Sequence, residues 1–207
     1  MKLFKIQGQI RIHASLILSL VLSIGPFGLT GINKSQAEPV AAAQRVGLDL
    51  RRTTFVVKDL EASLRFYRDG LGLVPIYDNI IRTPRDAKDD ASAQRSLRLV
   101  FLRANDDYIG VLGLMQYRVP DRPARPAKAE DGVLHPGDTV LVFNTKDLKT
   151  RFETIRAMPG VRVQEAPNVT SYPSYDGKGV INVLFSSFYD PDGNYVELNE
   201  ILNSGPR

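Results

Sequence analysis

Residues able to do acid–base or metal chemistry are scarce in this chain. It has no cysteine and two histidines, His13 and His135. Thiolate nucleophiles, disulfides and zinc ribbons are therefore excluded. His13 falls in an N-terminal segment expected to be removed, which leaves one histidine. A site of two histidines and a carboxylate, the usual arrangement for non-haem iron or zinc, cannot be assembled from one copy of what remains. His135 precedes Pro136 in a proline-rich connection and reads as a surface residue. No Ser-His-acid nucleophile is built around a histidine so placed, and neither a P-loop nor a GxGxxG turn opening a helix is present. Tyr108, Tyr117, Tyr172, Tyr175 and Tyr195 are candidates to stack a flat ligand. Asn168-Val169-Thr170 fits the N-glycosylation pattern, which matters only in a eukaryote.

Length and charge narrow the classes further. The 207 residues, 43% hydrophobic and 24% charged, fit one ordinary globular domain. Residues 1–37 resemble an export signal, with Lys2, Lys5 and Arg11 ahead of the uncharged stretch 14–32 and small residues at Ser35-Gln36-Ala37. Cleavage after Ala37 is expected, giving a periplasmic or extracellular protein; the alternative is a retained membrane anchor. The segment carries four basic residues (Lys2, Lys5, Arg11, Lys34) and no acidic ones, so its removal brings the formal charge from +4 to zero. The high isoelectric point of about 9.3 belongs to the signal, and nucleic-acid binding is set aside.

The elements that must position any site come from an internal repeat with an offset of 88 residues. Phe55 recurs as Phe143, Lys58-Asp59-Leu60 as Lys146-Asp147-Leu148, Leu64 as Phe152, Gly72 as Gly160 and Leu73 as Val161. Each copy opens with a β-branched, aromatic-rich strand, 53–57 and 139–145. Asp59 and Asp147 are placed to cap the helices that follow. Leu60, Leu64, Tyr67 and Leu71 fall on one helical face, and Leu148, Phe152 and Ile155 repeat its beginning. Gly70, Gly72 and Gly160 should end the helices. Further strands are expected at 73–77, 97–103 and 108–117, then at 161–165, 182–189 and 194–202. Asp190-Pro191-Asp192-Gly193 is a turn between the last two. The organisation predicted is a signal (1–37), a short mature N-terminal segment (38–48), a first module (49–117), a Pro-rich linker (118–137), a second module (138–202) and a tail (203–207). A long loop, 166–179, is a candidate cover for a pocket.

Phe55-Val56-Val57-Lys58-Asp59-Leu60-Glu61-Ala62-Ser63-Leu64 with Phe66-Tyr67-Arg68-Asp69 and Leu71-Gly72-Leu73 resembles the opening of a vicinal oxygen chelate module. Tyr189-Asp190-Pro191-Asp192-Gly193-Asn194-Tyr195-Val196-Glu197-Leu198 resembles its closing hairpin. The likeness covers about residues 49–202 and is to the superfamily of glyoxalases, extradiol dioxygenases, fosfomycin resistance enzymes and bleomycin-binding proteins. It implies an α+β fold: two βαβββ modules in tandem forming a cupped mixed sheet with helices on the outside. It fixes fold better than function.

Most members bind one divalent metal through His and Glu on the first and last strands of each module. Carried onto this chain, those positions are Arg52, Gly113, Val140 and Glu197, of which only Glu197 suits a cation. No cofactor is therefore expected. Strand alternation places Arg52, Thr54, Val140, Val142, Tyr195, Glu197 and Asn199 inside the cup as ligand-binding residues. Arg52 and Glu197 are expected to pair through two parallel hydrogen bonds where the metal would be, with Arg52 holding an anionic ligand as the alternative. The leading expectation is a metal-independent small-molecule binding protein. The alternatives are a lyase or isomerase of the lactoylglutathione lyase type with Glu197 as general base, and an assembly module whose cup a partner chain fills, for which homodimers are a natural form.

Overall fold

The computed structural model describes residues 41–123, 132–174 and 179–204. The expected export signal, linker residues 124–131 and Tyr175 lie outside the described residues. The strands are β1 (Arg52–Val56), β2 (Val74–Thr83), β3 (Arg95–Arg103), β4 (Val111–Val119), β5 (Val140–Asn144), β6 (Arg162–Pro173), β7 (Val180–Tyr189) and β8 (Tyr195–Ser204). Helix α1 (Leu60–Leu64) runs on through a π-helical stretch, Arg65–Gly70, and α2 is Leu148–Arg156. They form two four-stranded mixed sheets, ordered β1-β4-β3-β2 and β5-β8-β7-β6. Each sheet has one parallel pair, β1 with β4 and β5 with β8. The chain is thus two βαβββ modules in tandem, and the 88-residue offset holds from Arg52 and Val140 through Leu60 and Leu148 to Val74 and Arg162.

One core joins the modules. Leu60, Leu64, Phe66 and Tyr67 from the first helix are buried together with Leu148, Ile155, Phe188, Val196 and Leu198 of the second module. The π-helical stretch explains why Phe66 is as buried as Tyr67: the Leu71 N–H reaches back five residues to the Phe66 carbonyl (3.0 Å), which widens the helix. Both rings then turn inward, and Phe66 meets Phe188 edge-on at 6.5 Å. Each such fully buried ring or leucine contributes roughly 1.5–3 kcal/mol relative to exposure.

Polar contacts latch the same interface. The Tyr67 hydroxyl donates to Asp190 Oδ2 (2.7 Å), Ser63 Oγ donates to Asp192 Oδ2 (3.1 Å), and the Lys58 N–H donates to Asp192 Oδ1 (2.9 Å). The Asp190–Gly193 turn expected from sequence is therefore also the clasp between modules. Asp190 shapes it by accepting the N–H groups of Asp192 and Asn194, while Gly193 takes a φ of +79°.

Some local expectations hold and others are corrected. Asp59 caps α1 by accepting the Ala62 N–H (3.1 Å). Asp147 does not cap α2; it is occupied by Thr145 and Arg151, and the Leu148 N–H goes to Glu200 Oε2 (3.1 Å). Gly72 and Gly160 adopt φ values of +76° and +80°. Gly70 lies inside the π-helical stretch, where an added Cβ would come within 3.0 Å of Met158. The loop expected at 166–179 is strand β6 as far as Pro173. Pro167 did not prevent this because β6 is a sheet edge and its pairing with β7 shifts register between Glu165 and Asn168, which spares the missing N–H. Edge strand β2 likewise continues to Thr83, six residues past the expected end.

Candidate binding faces of the two sheets

Register assigns every site residue to a face. Phe55, Leu112, Leu114, Leu141, Phe143, Val196 and Leu198 pack into the core under the helices. Their strand neighbours therefore point the other way, onto an open face. Thr54 is opposite Gly113, which is opposite Phe101, which is opposite Tyr77, giving one lateral row across the first sheet. In the second sheet the corresponding row is Val142, Glu197, Ser187 and Glu165. The rows beside it are Val140, Tyr195, Tyr189 and Arg162, then Asn144, Asn199, Phe185 and Asn168. Neighbours in a row are about 5 Å apart at Cα.

All seven sequence-derived residues thus occupy open faces, but on two sheets. Arg52 and Thr54 stand on the first; Val140, Val142, Tyr195, Glu197 and Asn199 stand on the second. The edge strands β1 and β5 are not hydrogen-bonded to each other. A cleft of about 150 Å³ lies by this seam, lined by Thr53, Leu112, Leu141 and Phe143 from the core-facing sides together with Val111 and Val142; of the seven residues only Val142 lines it.

The expected Arg52–Glu197 pair is not formed. Arg52 Nε donates to Thr54 Oγ1 (3.0 Å), and the guanidinium lies 4.0 Å from the Phe101 ring centre. Phe101 in turn stacks on Tyr77 at 4.6 Å. The arginine has satisfied itself on its own sheet through a local hydrogen bond and a cation–π contact. Burial pushes the Glu197 carboxyl above the ordinary carboxylate range, and the Asn199 side chain acts weakly in the opposite direction. Desolvation is the larger influence because no cation stands beside it to oppose the shift.

Gly113 shows why the metal expected of such a fold does not fit these residues. A Cβ at this position would come within 2.5 Å of Thr54 Oγ1, so the space a ligand side chain would use is taken by Thr54. Arg52 and Val140 offer no donor to a cation. Among the described residues no three His, Cys, Asp or Glu side chains cluster. His135 is exposed in a turn with Asp138, its backbone N–H donating to Asp138 Oδ2 (2.8 Å).

The profile of the Glyoxalase/Bleomycin resistance protein/Dioxygenase superfamily matches residues 49–198. The chain belongs to that superfamily. No curated protein matches the chain. Among solved structures, a glyoxalase family protein from Bacillus cereus is 15% identical with a TM-score of 0.57, over 79% of this chain and all of that one. A trypanothione-dependent glyoxalase I from Leishmania major is 20% identical with a TM-score of 0.46, over 74% of this chain and 86% of that one. At 15% identity the likeness to the Bacillus cereus protein speaks for the fold alone.

Other residues enter the open faces without having been foreseen. Tyr77, Phe101, Arg162, Glu165, Ser187 and Tyr189 were missed because cross-strand register decides their neighbours, and sequence alternation alone does not give it. Of the five tyrosines proposed to stack a ligand, Tyr172 and Tyr195 share the second sheet's open face. Tyr108 is exposed under Arg51, and Tyr117 lies under Arg122 at the end of β4.

Proposed function

We propose that this member of the superfamily is a metal-independent small-molecule binding protein whose ligand lies against the open faces beside the β1–β5 seam. The packing at Gly113 carries this reading: Thr54 fills the place of a metal-binding side chain and leaves Glu197 the one carboxylate of the four positions. The two faces offer complementary chemistry in its stead. The first presents a stacked arginine and aromatics, Arg52, Phe101 and Tyr77. The second presents Glu197, Asn199 and Tyr195. A pocket with apolar walls and a few convergent polar groups is the usual form of a small-ligand site.

The test is elemental analysis of the purified protein, with thermal midpoints against a panel of small aromatic acids, amines and amides, before and after EDTA. Ligand-dependent stabilisation that survives EDTA is expected. A stoichiometric transition metal whose removal abolishes that stabilisation refutes the reading. Glu197 as the general base of a lyase or isomerase is a second reading, favoured by the upward push that burial gives its carboxyl. Turnover of a hemithioacetal that disappears in Glu197→Gln would establish it. Export after cleavage at Ala37 remains part of the proposal, and an intact Met1 in the mature protein would refute it.

A further inference from the structure

The clasp at the Asp190–Gly193 turn has a counterpart in the repeat, and there the chain leaves a cleft. The 88-residue offset sets Arg151 in the place of Ser63, the Lys146 N–H in that of the Lys58 N–H, and Ile155 in that of Tyr67. Strand pairing sets Ala104 in the place of Asp190, since Leu102 opposite Leu112 repeats Phe188 opposite Val196. The connection from β3 to β4, 104–110, has seven residues against five in 190–194. Its carboxylates are spent elsewhere: Asp106 accepts the Tyr108 and Ile109 N–H groups (2.6 and 2.7 Å), and Asp107 pairs with Arg103 (2.9 Å). What remains is a cleft of about 170 Å³ walled by Gly72, Ala104, Asn105, Asn144, Thr145 and Arg151.

The filled half shows what this position accepts. There a carboxylate, Asp192, takes the Ser63 hydroxyl and the Lys58 N–H, although burial first and then the Asp190 and Asp59 charges push its carboxyl up. The open half offers a guanidinium where the filled half offers a hydroxyl. Arg151 is held in place by its Nε, which donates to Asp147 and Thr145 (2.7 and 3.1 Å), and by Nη1, which donates to the Leu71 carbonyl (2.7 Å). Its Nη2 has no acceptor among the described residues. Gly72 makes room for it, since a Cβ there would come within 2.8 Å of Nη1. Asp147 offsets part of the charge; its counterpart Asp59 also stands near Asp192 and does not keep that carboxylate out. The cleft adjoins the one by the β1–β5 seam, for Leu73, Ala104 and Phe143 line both, and Leu112 and Leu141 continue the apolar wall. Each cleft is smaller than the roughly 300 Å³ at which ordinary ligand pockets begin, so the occupant is small.

We propose that this junction is a second binding site, for a small aliphatic carboxylate, with Arg151 receiving the carboxylate and Leu73 and Phe143 lining its tail. It is separate from the open faces and does not rest on the reading given for them. A carboxylate gains a charge-assisted bond from a guanidinium already fixed in place. An ammonium there would meet a like charge, and an amide would forgo the charge.

Hexanoate, hexanamide and hexylammonium share a chain and differ in charge, and each is titrated by NMR into the isotope-labelled full chain. Hexanoate is expected to bind about tenfold or more tightly than the other two, shifting the signals of Ala104, Phe143 and Thr145 and the Arg151 Nε–H. Arg151→Gln should remove that preference. Ala104→Asp returns a carboxylate to the cleft where Asp190 has one, and should abolish hexanoate binding in a chain that stays folded; it keeps the test decisive should Arg151→Gln not fold. Equal binding of hexanamide or hexylammonium, a hexanoate preference that Ala104→Asp retains, or no binding of hexanoate at millimolar concentration each overturns the inference and leaves the open-face reading standing. Shifts centred on Phe101 and Tyr195 put the acid on the open faces instead, which overturns this site and supports that reading.

Discussion

Replacing Tyr67 by phenylalanine isolates one contact across the module boundary. The ring is fully buried and keeps its packing against Phe66 and the core, so only the hydroxyl is lost. That hydroxyl donates to Asp190, a carboxylate 2% exposed. Asp190 retains three donors, the N–H groups of Asp192 and Asn194 and the Asn194 amide, at 3.0, 2.7 and 3.0 Å. A hydrogen bond to a charged group contributes about 1.5–3 kcal/mol net; with the carboxylate still well solvated by the backbone, a loss near the lower end is expected, about 1.5 kcal/mol. Asp190→Asn should cost more, about 3 kcal/mol, because an amide turns donors toward donors in a buried site. Urea unfolding followed by far-ultraviolet circular dichroism suits a chain without tryptophan. A single transition with an unchanged slope is expected, since the core spans both modules. A double-mutant cycle should return a coupling of about 1.5 kcal/mol. A coupling within error of zero, or a Tyr67→Phe chain as stable as the parent, would refute the clasp.

Gly113→Ala should destabilise by about 1–3 kcal/mol through collision with Thr54, and Thr54→Ala in the same chain should recover most of it in the same urea assay. Asp90 is held down to about 2 by the Ser96 hydroxyl first, then by Arg118 and Arg82. A lowered carboxyl stabilises the fold above its unfolded value of 3.8 and loses that contribution as pH falls toward 2. Between about pH 5 and pH 2 the thermal midpoint of Asp90→Asn should therefore fall less steeply than that of the parent; equal slopes count against it. Glu200→Ala removes the acceptor of the Leu148 N–H and should cost about 0.5–2 kcal/mol, whereas Asp147→Ala, losing exposed contacts with Thr145 and Arg151, should cost less, about 0.5 kcal/mol. The reverse order would show that Asp147 caps α2 after all.

What the sequence determined was everything carried by local spacing. The 88-residue repeat gave two βαβββ modules, because identical hydrophobic periods and turn residues fold to identical units. The alternation of Val140 with Val142, and of Tyr195 with Glu197 and Asn199, set a common face within each strand, because the side-chain period of a strand is two whatever it pairs with. Pairing itself was decided only in three dimensions. Arg52 has Thr54 and Phe101 as partners because they lie on its own sheet and Glu197 lies on the other. Glu200 took the α2 cap from Asp147, and Glu165 joined Glu197 on one row across two register shifts. Bulges, sheet order and the seam between β1 and β5 depend on contacts between residues far apart in the chain, and no local pattern encodes which of several suitable partners is nearest.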